Sequence, residues 1–555
     1  MRPRDNGANM KKKVVLLGGG VAGLSAAQEL AERGFDVDVY DRLSKFGGKA
    51  RSIDVPDSAT GNRKPLPGEH GFRFFPSFYR NTFDTLKRIP YGDNPQGVYD
   101  NLVATHEMLA GVGHDAGVVL PMNFPQEVGD WEALYQLFVR NDANIPPEEL
   151  WFFASRIWTF LTSCKERRDQ EFDYVTWWDF IEADRMSEEY KSFLAVGLTR
   201  DLVAMKAEVS STRTVAKIYF QLLQGMLKPF ENVNRILDAP TTEAWIDPWV
   251  NYLEQLGVTF HNNANVEAIN FDGQKITGVD IDLDGKDWTA TGDHYLFALP
   301  VEAMVKLVDD DIKEAAPSLR NIDKLQTGWM NGIQYFFEED LQINRGHMLF
   351  VDSPWALTAI FEHQFWDDVD MSKYGAGNVR GFLSFCISDW NTPGEVFGKP
   401  ARECTAEEIE EEVWTQMLKR MDKADRRKIE EATVVDWFLS PTIVIEDGEP
   451  TRNTEPLLLN TVGSLTDRPR ASLNIDNMFL ASDYVRTHAD LATMESANEA
   501  GRRAVNGILS AAPGRYRKCA VYPLREPAFL EPFKAYDRIR FERGLPHQNL
   551  DEILK

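Results

Sequence analysis

Cysteine is scarce in this chain: Cys164, Cys386, Cys404 and Cys519 lie far apart and form no C-x-x-C pair. That excludes a disulfide framework and a zinc site of the usual spacing. No stretch reaches the roughly 18 consecutive apolar residues of a membrane-spanning helix. Near the start, Lys11-Lys12-Lys13 precedes the apolar run Val14 to Leu17, but Gly18 ends the run, leaving it too short for the hydrophobic part of a secretory signal. Positive charge is in deficit: 61 Lys and Arg stand against 86 Asp and Glu, a net charge of −25. A chain this acidic is not expected to hold nucleic acid or an anionic surface by charge alone. A reducing, cytoplasmic setting is the expectation, with no metal.

Apolar and aromatic residues are plentiful. At 555 residues, 43% hydrophobic and 11% aromatic, the chain is longer than one core supports, and two or three domains are expected. Val14 to Leu17 reads as a short buried strand, and Gly18-Gly19-Gly20-Val21-Ala22-Gly23 follows with G-x-G-x-x-G spacing. Leu24 to Arg33 reads as a helix closed by Gly34, where a left-handed residue is cheap. Val37 and Val39 then alternate with Asp36, Asp38 and Tyr40 in a second strand that ends at Asp41. In such a β-turn-α-β unit, Gly18, Gly20 and Gly23, with Val21 and Ala22 between them, let the backbone approach a pyrophosphate at a helix N-terminus. The Asp41 carboxylate is placed to accept hydrogen bonds from a ribose.

Four residues past Arg42 comes Phe46-Gly47-Gly48-Lys49-Ala50-Arg51. Near the far end stand Asn477 to Tyr484, then Asp490 to Glu495. With this pair of segments the sequence resembles the FAD-dependent amine oxidase superfamily. The resemblance implies FAD as cofactor, held noncovalently, with contacts at Arg42, Gly47, Gly48, Lys49, Arg51 and Asp483. It also implies a helix N-terminus at Thr493 and Met494 aimed at the flavin, and Val266 as the residue whose backbone meets the adenine. The family's usual glycine before this Asp is Ser482 here.

Within the superfamily, Gly68 to Asn81, residues 177–223 and Pro240 to Trp249 look like segments of plant and cyanobacterial phytoene desaturases and their bacterial relatives. That branch implies an α/β fold: a Rossmann-like FAD domain of the GR2 type from 12–90, 236–300 and 465–512, interleaved with an α+β substrate domain from 91–235 and 301–464. Residues 258–300 read as a β-meander with turns at Asp272-Gly273 and Asp284-Gly285. Strands are expected at Gln334–Glu338, Met348–Asp352, Leu357–Phe361 and Arg380–Cys386, and a solvated helix at Glu407–Met421. Residues 513–555, with Pro523, Pro527, Pro532 and Pro546, read as an arm packing on its own subunit or a neighbour.

The implied substrate is a long apolar isoprenoid, carotenoid-like molecule that is desaturated or isomerised. Two other readings stay open: an amine or amino-acid oxidase, and an FAD-dependent double-bond isomerase without net oxidation. Glu69, His70, Arg73 and Tyr484 are the polar residues that the resemblance places near the flavin as catalytic candidates. An apolar pocket would draw on Phe152, Phe153, Trp158, Phe160, Tyr219, Phe220, Leu222 and Leu223. An apolar substrate dissolves in bilayers, so peripheral membrane association is expected through helices at about 149–164 and 215–230.

Overall fold

The computed structural model describes residues 11–71, 73–111, 117–121, 145–201, 205–226, 234–446 and 448–548. Its first sheet has β1 (Lys13–Leu17) at its centre, paired in parallel with β2 (Asp36–Tyr40) on one side and His294–Phe297 on the other. Thr259–His261 and Met478–Leu480 complete the two edges, again in parallel. Burial on both faces explains the uninterrupted apolar run Val14 to Leu17, all fully buried. In β2, Val37 and Val39 point inward while Asp36 is exposed. Helix α1 (Val21–Ala31) begins three residues earlier than the sequence suggests, so Gly23 lies in its first turn. Gly34 has φ +82°, the expected left-handed closing residue.

The late helix α2 (Met494–Ala511) packs on α1. The two backbones come so close that a Cβ on Gly501 would sit 2.5 Å from the Ala22 carbonyl oxygen. The meander is present as three antiparallel strands, Ala264–Phe271, Ile276–Leu283 and Lys286–Ala290. Its turns carry positive φ at Gly273, Asp284 and Gly285.

A second, seven-stranded sheet runs in the order Val434–Leu439, Asn331–Phe337, Gly381–Ile387, Leu357–Ile360, Gly346–Phe350, Glu107–Gly111, Gly117–Pro121. The four strands expected in this region are there within a few residues. Glu107–Gly111 and Gly117–Pro121 were not expected; the first joins Gly346–Phe350 in parallel. The short helix Glu188–Tyr190 continues as a π-helix, Lys191–Asp201. Ala406–Leu418 is not simply solvated. Ile409, Val413 and Met417 are fully buried in the second core, and the Glu412 carboxylate accepts the backbone N–H groups of Glu395, Val396 and Phe397 at 2.5–3.2 Å.

The C-terminal arm packs on its own chain and contains helix α3 (Glu531–Glu542). Asp537 of α3, 2% exposed, accepts from Arg167 Nε at 3.0 Å and from the Cys164 backbone N–H at 2.8 Å. Among the described residues no helix is long and apolar enough to cross a membrane.

Candidate active site

Two glycine turns meet at the C-terminal end of β1. Gly18 has φ +102°, and a Cβ there would lie 2.5 Å from the Ala298 carbonyl oxygen; on Gly23 it would lie 1.9 Å from that of Gly18. Gly20 differs, because its nearest neighbour would be Gly48 Cα at 3.6 Å. Gly18 and Gly23 are therefore required by the turn itself, while Gly20 keeps the backbone bare on the side where a pyrophosphate would approach. Gly47 (φ +105°) and Gly48 (φ +55°) form the second turn, fastened by the Gly47 N–H donating to Gly19 O at 2.8 Å. Val21 and Ala22 are buried in the first turn of α1, whose free N–H groups and dipole suit an anion.

Asp41 is 7% exposed and accepts the Gly19 N–H at 2.6 Å and the Leu43 N–H at 2.8 Å. Burial raises its carboxyl, against these two donors. It thus holds the glycine turn, at the place where the sequence pattern leads one to expect a ribose. Replacing Asp41 with alanine is expected to weaken FAD retention about 10- to 100-fold, the scale of a lost charge-assisted hydrogen bond, with an NADP-like ligand still excluded. Flavin content after gel filtration checks this, and undiminished occupancy would contradict the role.

Arg42 and Arg51 both turn to Glu455, at 3.7 and 3.0 Å. Burial alone would raise the Glu455 carboxyl, but Arg51 and then His70 and Arg42 hold it below the usual range. Lys49 spans to Glu302 at 3.0 Å and to the Pro456 carbonyl. Val266 lies on the first meander strand, next to a bulge.

After Met478–Leu480 the chain turns at Ser482, whose φ is +154°. The serine in the family's glycine place therefore takes a dihedral that glycine adopts more easily. Asp483 is half-buried, and its carboxylate accepts from the Ser482 hydroxyl at 3.2 Å. Thr493 is the N-cap of α2, its hydroxyl accepting the Ser496 N–H at 3.2 Å, and Met494 is the first helical residue. The turn between is pinned by Asp490, fully buried and bound to Arg213 at 2.7 Å and Lys217 at 3.2 Å.

Three of the catalytic candidates, Glu69, His70 and Arg73, lie where the hairpin Ser52–Asp54/Pro67–Glu69 docks on the second sheet; Tyr484 lies instead beside Asp483, its backbone carbonyl accepting from Arg468 Nε at 3.0 Å. Gly332 N–H donates to His70 O at 2.6 Å, and a Cβ on Gly68 would strike Phe438. Glu69, 1% exposed, accepts from Ser52 Oγ at 2.7 Å and from the Thr241 N–H at 3.1 Å, with Arg73 at 3.8 Å. The Arg73 guanidinium also donates to the carbonyls of Lys49, at 2.6 Å, and Gly71. Phe72, part of the quoted segment, lies outside the described residues.

Three residues the sequence did not single out complete the cluster. Glu69 N–H donates to Gln334 Oε1 at 2.9 Å, Gln334 Nε2 donates to Ser384 Oγ at 2.9 Å, and the Ser384 hydroxyl meets Glu362. Burial, and then the Glu69 carboxylate, pushes the Glu362 carboxyl up to about 8. Glu69 is raised by burial too, against Arg73 and Ser52. Burial and then Arg73 hold the His70 imidazole down at about 3, so it is neutral. The fully buried Tyr484 phenol is raised well above its ordinary range by burial. Glu69 Oε2, Glu362 Oε1, both ring nitrogens of His70 and the Tyr484 hydroxyl have no hydrogen-bond partner among the described residues. Buried polar atoms left open in this way mark a place for a ligand. The signal for Gln334 and Ser384 was present in the sequence: each is the polar interruption of a fully buried apolar strand.

The family description "flavin containing amine oxidoreductase" matches residues 21–509, and the chain belongs to that family. It is an FAD-dependent oxidoreductase of the phytoene desaturase-like branch. The 15-cis-phytoene desaturase of Synechococcus elongatus is 23% identical over 351 residues, 62% of this chain and 69% of that protein. The chloroplastic/chromoplastic 15-cis-phytoene desaturase of Glycine max is 22% identical over 343 residues, 61% of this chain and 56% of that one. In fold, the chain is similar to cyclohexylamine oxidase from Brevibacterium oxydans, with a TM-score of 0.59 and 12% identity, covering 90% of this chain and 99% of that one.

Proposed function

We propose that this enzyme desaturates or isomerises a long apolar isoprenoid substrate. FAD would be held by the turns at Gly18–Gly23 and Gly47–Gly48, with Lys49, Arg51 and Arg42 beside them, Asp41 at the ribose, Val266 at the adenine, Asp483 at the ribityl chain and Thr493–Met494 at the ring. The FAD unit would comprise 12–90, 236–300 and 465–512, the substrate unit 91–235 and 301–464, and the arm 513–555. Bound there, FAD supplies a two-electron sink for a hydride from a substrate C–H bond.

The observation that carries the reading is the state of the polar groups at the site. His70 is neutral and desolvated, and the Glu69–Glu362 pair retains a proton at neutral pH, surroundings that suit a neutral polyene better than a charged amine. In this reading Glu69 and Glu362 hold or accept a proton, Arg73 orients Glu69, and His70 and Tyr484 face the bound molecules. Membrane association belongs to the same proposal. The helix Pro147–Thr162 presents Trp151, 53% exposed; of the segment 215–230, positions 227–230 lie outside the described residues.

The test is anaerobic mixing of the holoenzyme with polyenes and with amines while the flavin absorbance is followed. Bleaching by a polyene is expected, and bleaching by amines alone sinks the reading. Turnover of the polyene without bleaching would identify an isomerase. The His70 contribution to the pH–rate profile should be flat between about pH 6 and 8.5, so His70→Ala scales the profile uniformly. A limb that disappears in that variant would instead assign acid–base chemistry to the imidazole.

A further inference from the structure

On the flank of the molecule, α2, α3 and the loop Thr487–Asp490 enclose a cleft of about 1110 Å³ that shares no residue with the dinucleotide cradle. Ten of its lining residues are Lys or Arg and four are Asp or Glu, a surplus of six positive charges in a chain whose net charge is −25. The four acids are engaged. Asp169 binds Lys165 and Arg213, Asp490 binds Arg213 and Lys217, Glu526 binds Arg168 and Lys534, and Glu531 binds Lys534.

Three cations remain without a described carboxylate in salt-bridge reach. Arg486 donates only to the carbonyls of Arg468, at 2.7 Å, and Thr466, at 3.1 Å. Lys518 reaches only the Ser510 hydroxyl and the Asn506 carbonyl. Arg470 is exposed at the rim. The neighbouring groups register the same positive field. Arg486 is lowered by burial and then by Arg470; Lys217 is brought to about 8 by burial and then by Arg213; and His488 is brought to about 4 by burial and then by Arg503 and Lys217. Leu465, Val521 and Leu524 add an apolar edge.

We propose that this cleft is a binding site for a phosphate-bearing anion, carried on a free diphosphate or on a lipid headgroup, with Arg470, Arg486 and Lys518 as its principal contacts. Three cations match the charge of a free diphosphate and exceed that of a single lipid phosphodiester, and guanidinium forks pair with phosphate oxygens in bidentate fashion in either case. Its field is short-ranged in salt, so the chain's overall acidity does not cancel it.

Two probes of the flavin-loaded protein test the site: calorimetric titration with inorganic pyrophosphate, and sedimentation with vesicles of phosphatidylcholine containing phosphatidylglycerol. The comparison is the double variant Arg470→Glu with Lys518→Glu, both exposed positions whose exchange is expected to leave the fold and the flavin spectrum intact, which circular dichroism and flavin absorbance check. Saturable one-to-one binding of pyrophosphate that weakens at least about 10-fold in the variant, the scale of one charge-assisted hydrogen bond, supports a soluble ligand. Vesicle binding that the variant loses, without pyrophosphate binding, supports the lipid source. In either case the His488 titration should move upward on binding. Absence of binding to both probes, or binding that the variant keeps at full strength, overturns the proposal.

Discussion

Replacing Gly23 with alanine is expected to yield protein without flavin and with stability reduced by about 3 kcal/mol or more, the upper range for forcing atoms into a packed interior. The new Cβ would lie 1.9 Å from the Gly18 carbonyl oxygen and 2.9 Å from Leu16 Cδ2, so α1 cannot keep its contact with β1. The control is Gly20→Ala, where the nearest atom would be 3.6 Å away and φ is −78°. That variant should fold as the parent does and lose only FAD affinity, because its methyl group stands where the pyrophosphate must come close. Thermal unfolding and flavin-to-protein absorbance separate the two outcomes. Equal damage at both positions would mean that the two glycines do not have the different tasks assigned to them.

The second large effect concerns Glu362. Its carboxyl is raised to about 8 in the folded protein from an ordinary 4.5, so between those values the native state holds a proton that the unfolded chain has released. Stability therefore falls as pH rises through that window. Glu362→Gln keeps the shape and removes the titration, and should be more stable than the parent at pH above 8 by about 2–4 kcal/mol, with little difference near the lower end of the window. Urea unfolding at both ends measures it. Parallel pH profiles for parent and variant would refute the pairing. Glu69→Gln should move the Glu362 window downward, since it removes the neighbouring negative charge.

The cofactor half of the molecule was legible because its constraints are local. Gly18, Gly23 and Gly34 are required by dihedrals and contacts within a few residues, and the strand Val14–Leu17 declares its burial by composition. The Glu69–Gln334–Ser384–Glu362 chain was not legible as a set, since its members are spread over more than 300 positions and meet only when the hairpin docks on the second sheet. Glu412 illustrates the same limit. On a helix rich in acids it reads as one more solvated charge, yet the adjoining loop brings backbone N–H groups to it and buries it. The π-helical stretch from Lys191 also escapes sequence reading, because helical periodicity does not distinguish one ladder from another over so short a span.

The central strand of the first sheet leaves the ribosome more than 450 residues ahead of the sheet's edge Met478–Leu480 and of the helix that leans on Ala22. A ribosome-bound chain would therefore carry a half-walled nucleotide cradle, with an unpaired parallel strand, for most of its elongation. Val14–Leu17 has one open side until His294–Phe297 emerges, and at about 5–20 residues per second even that part of the interval lasts tens of seconds, long enough for the apolar strand to recruit a wrong neighbour. Acquisition of the flavin is consequently expected only after residues 478–511 have been made. Supplying FAD or a holding chaperone late in expression should matter more to yield than supplying either early.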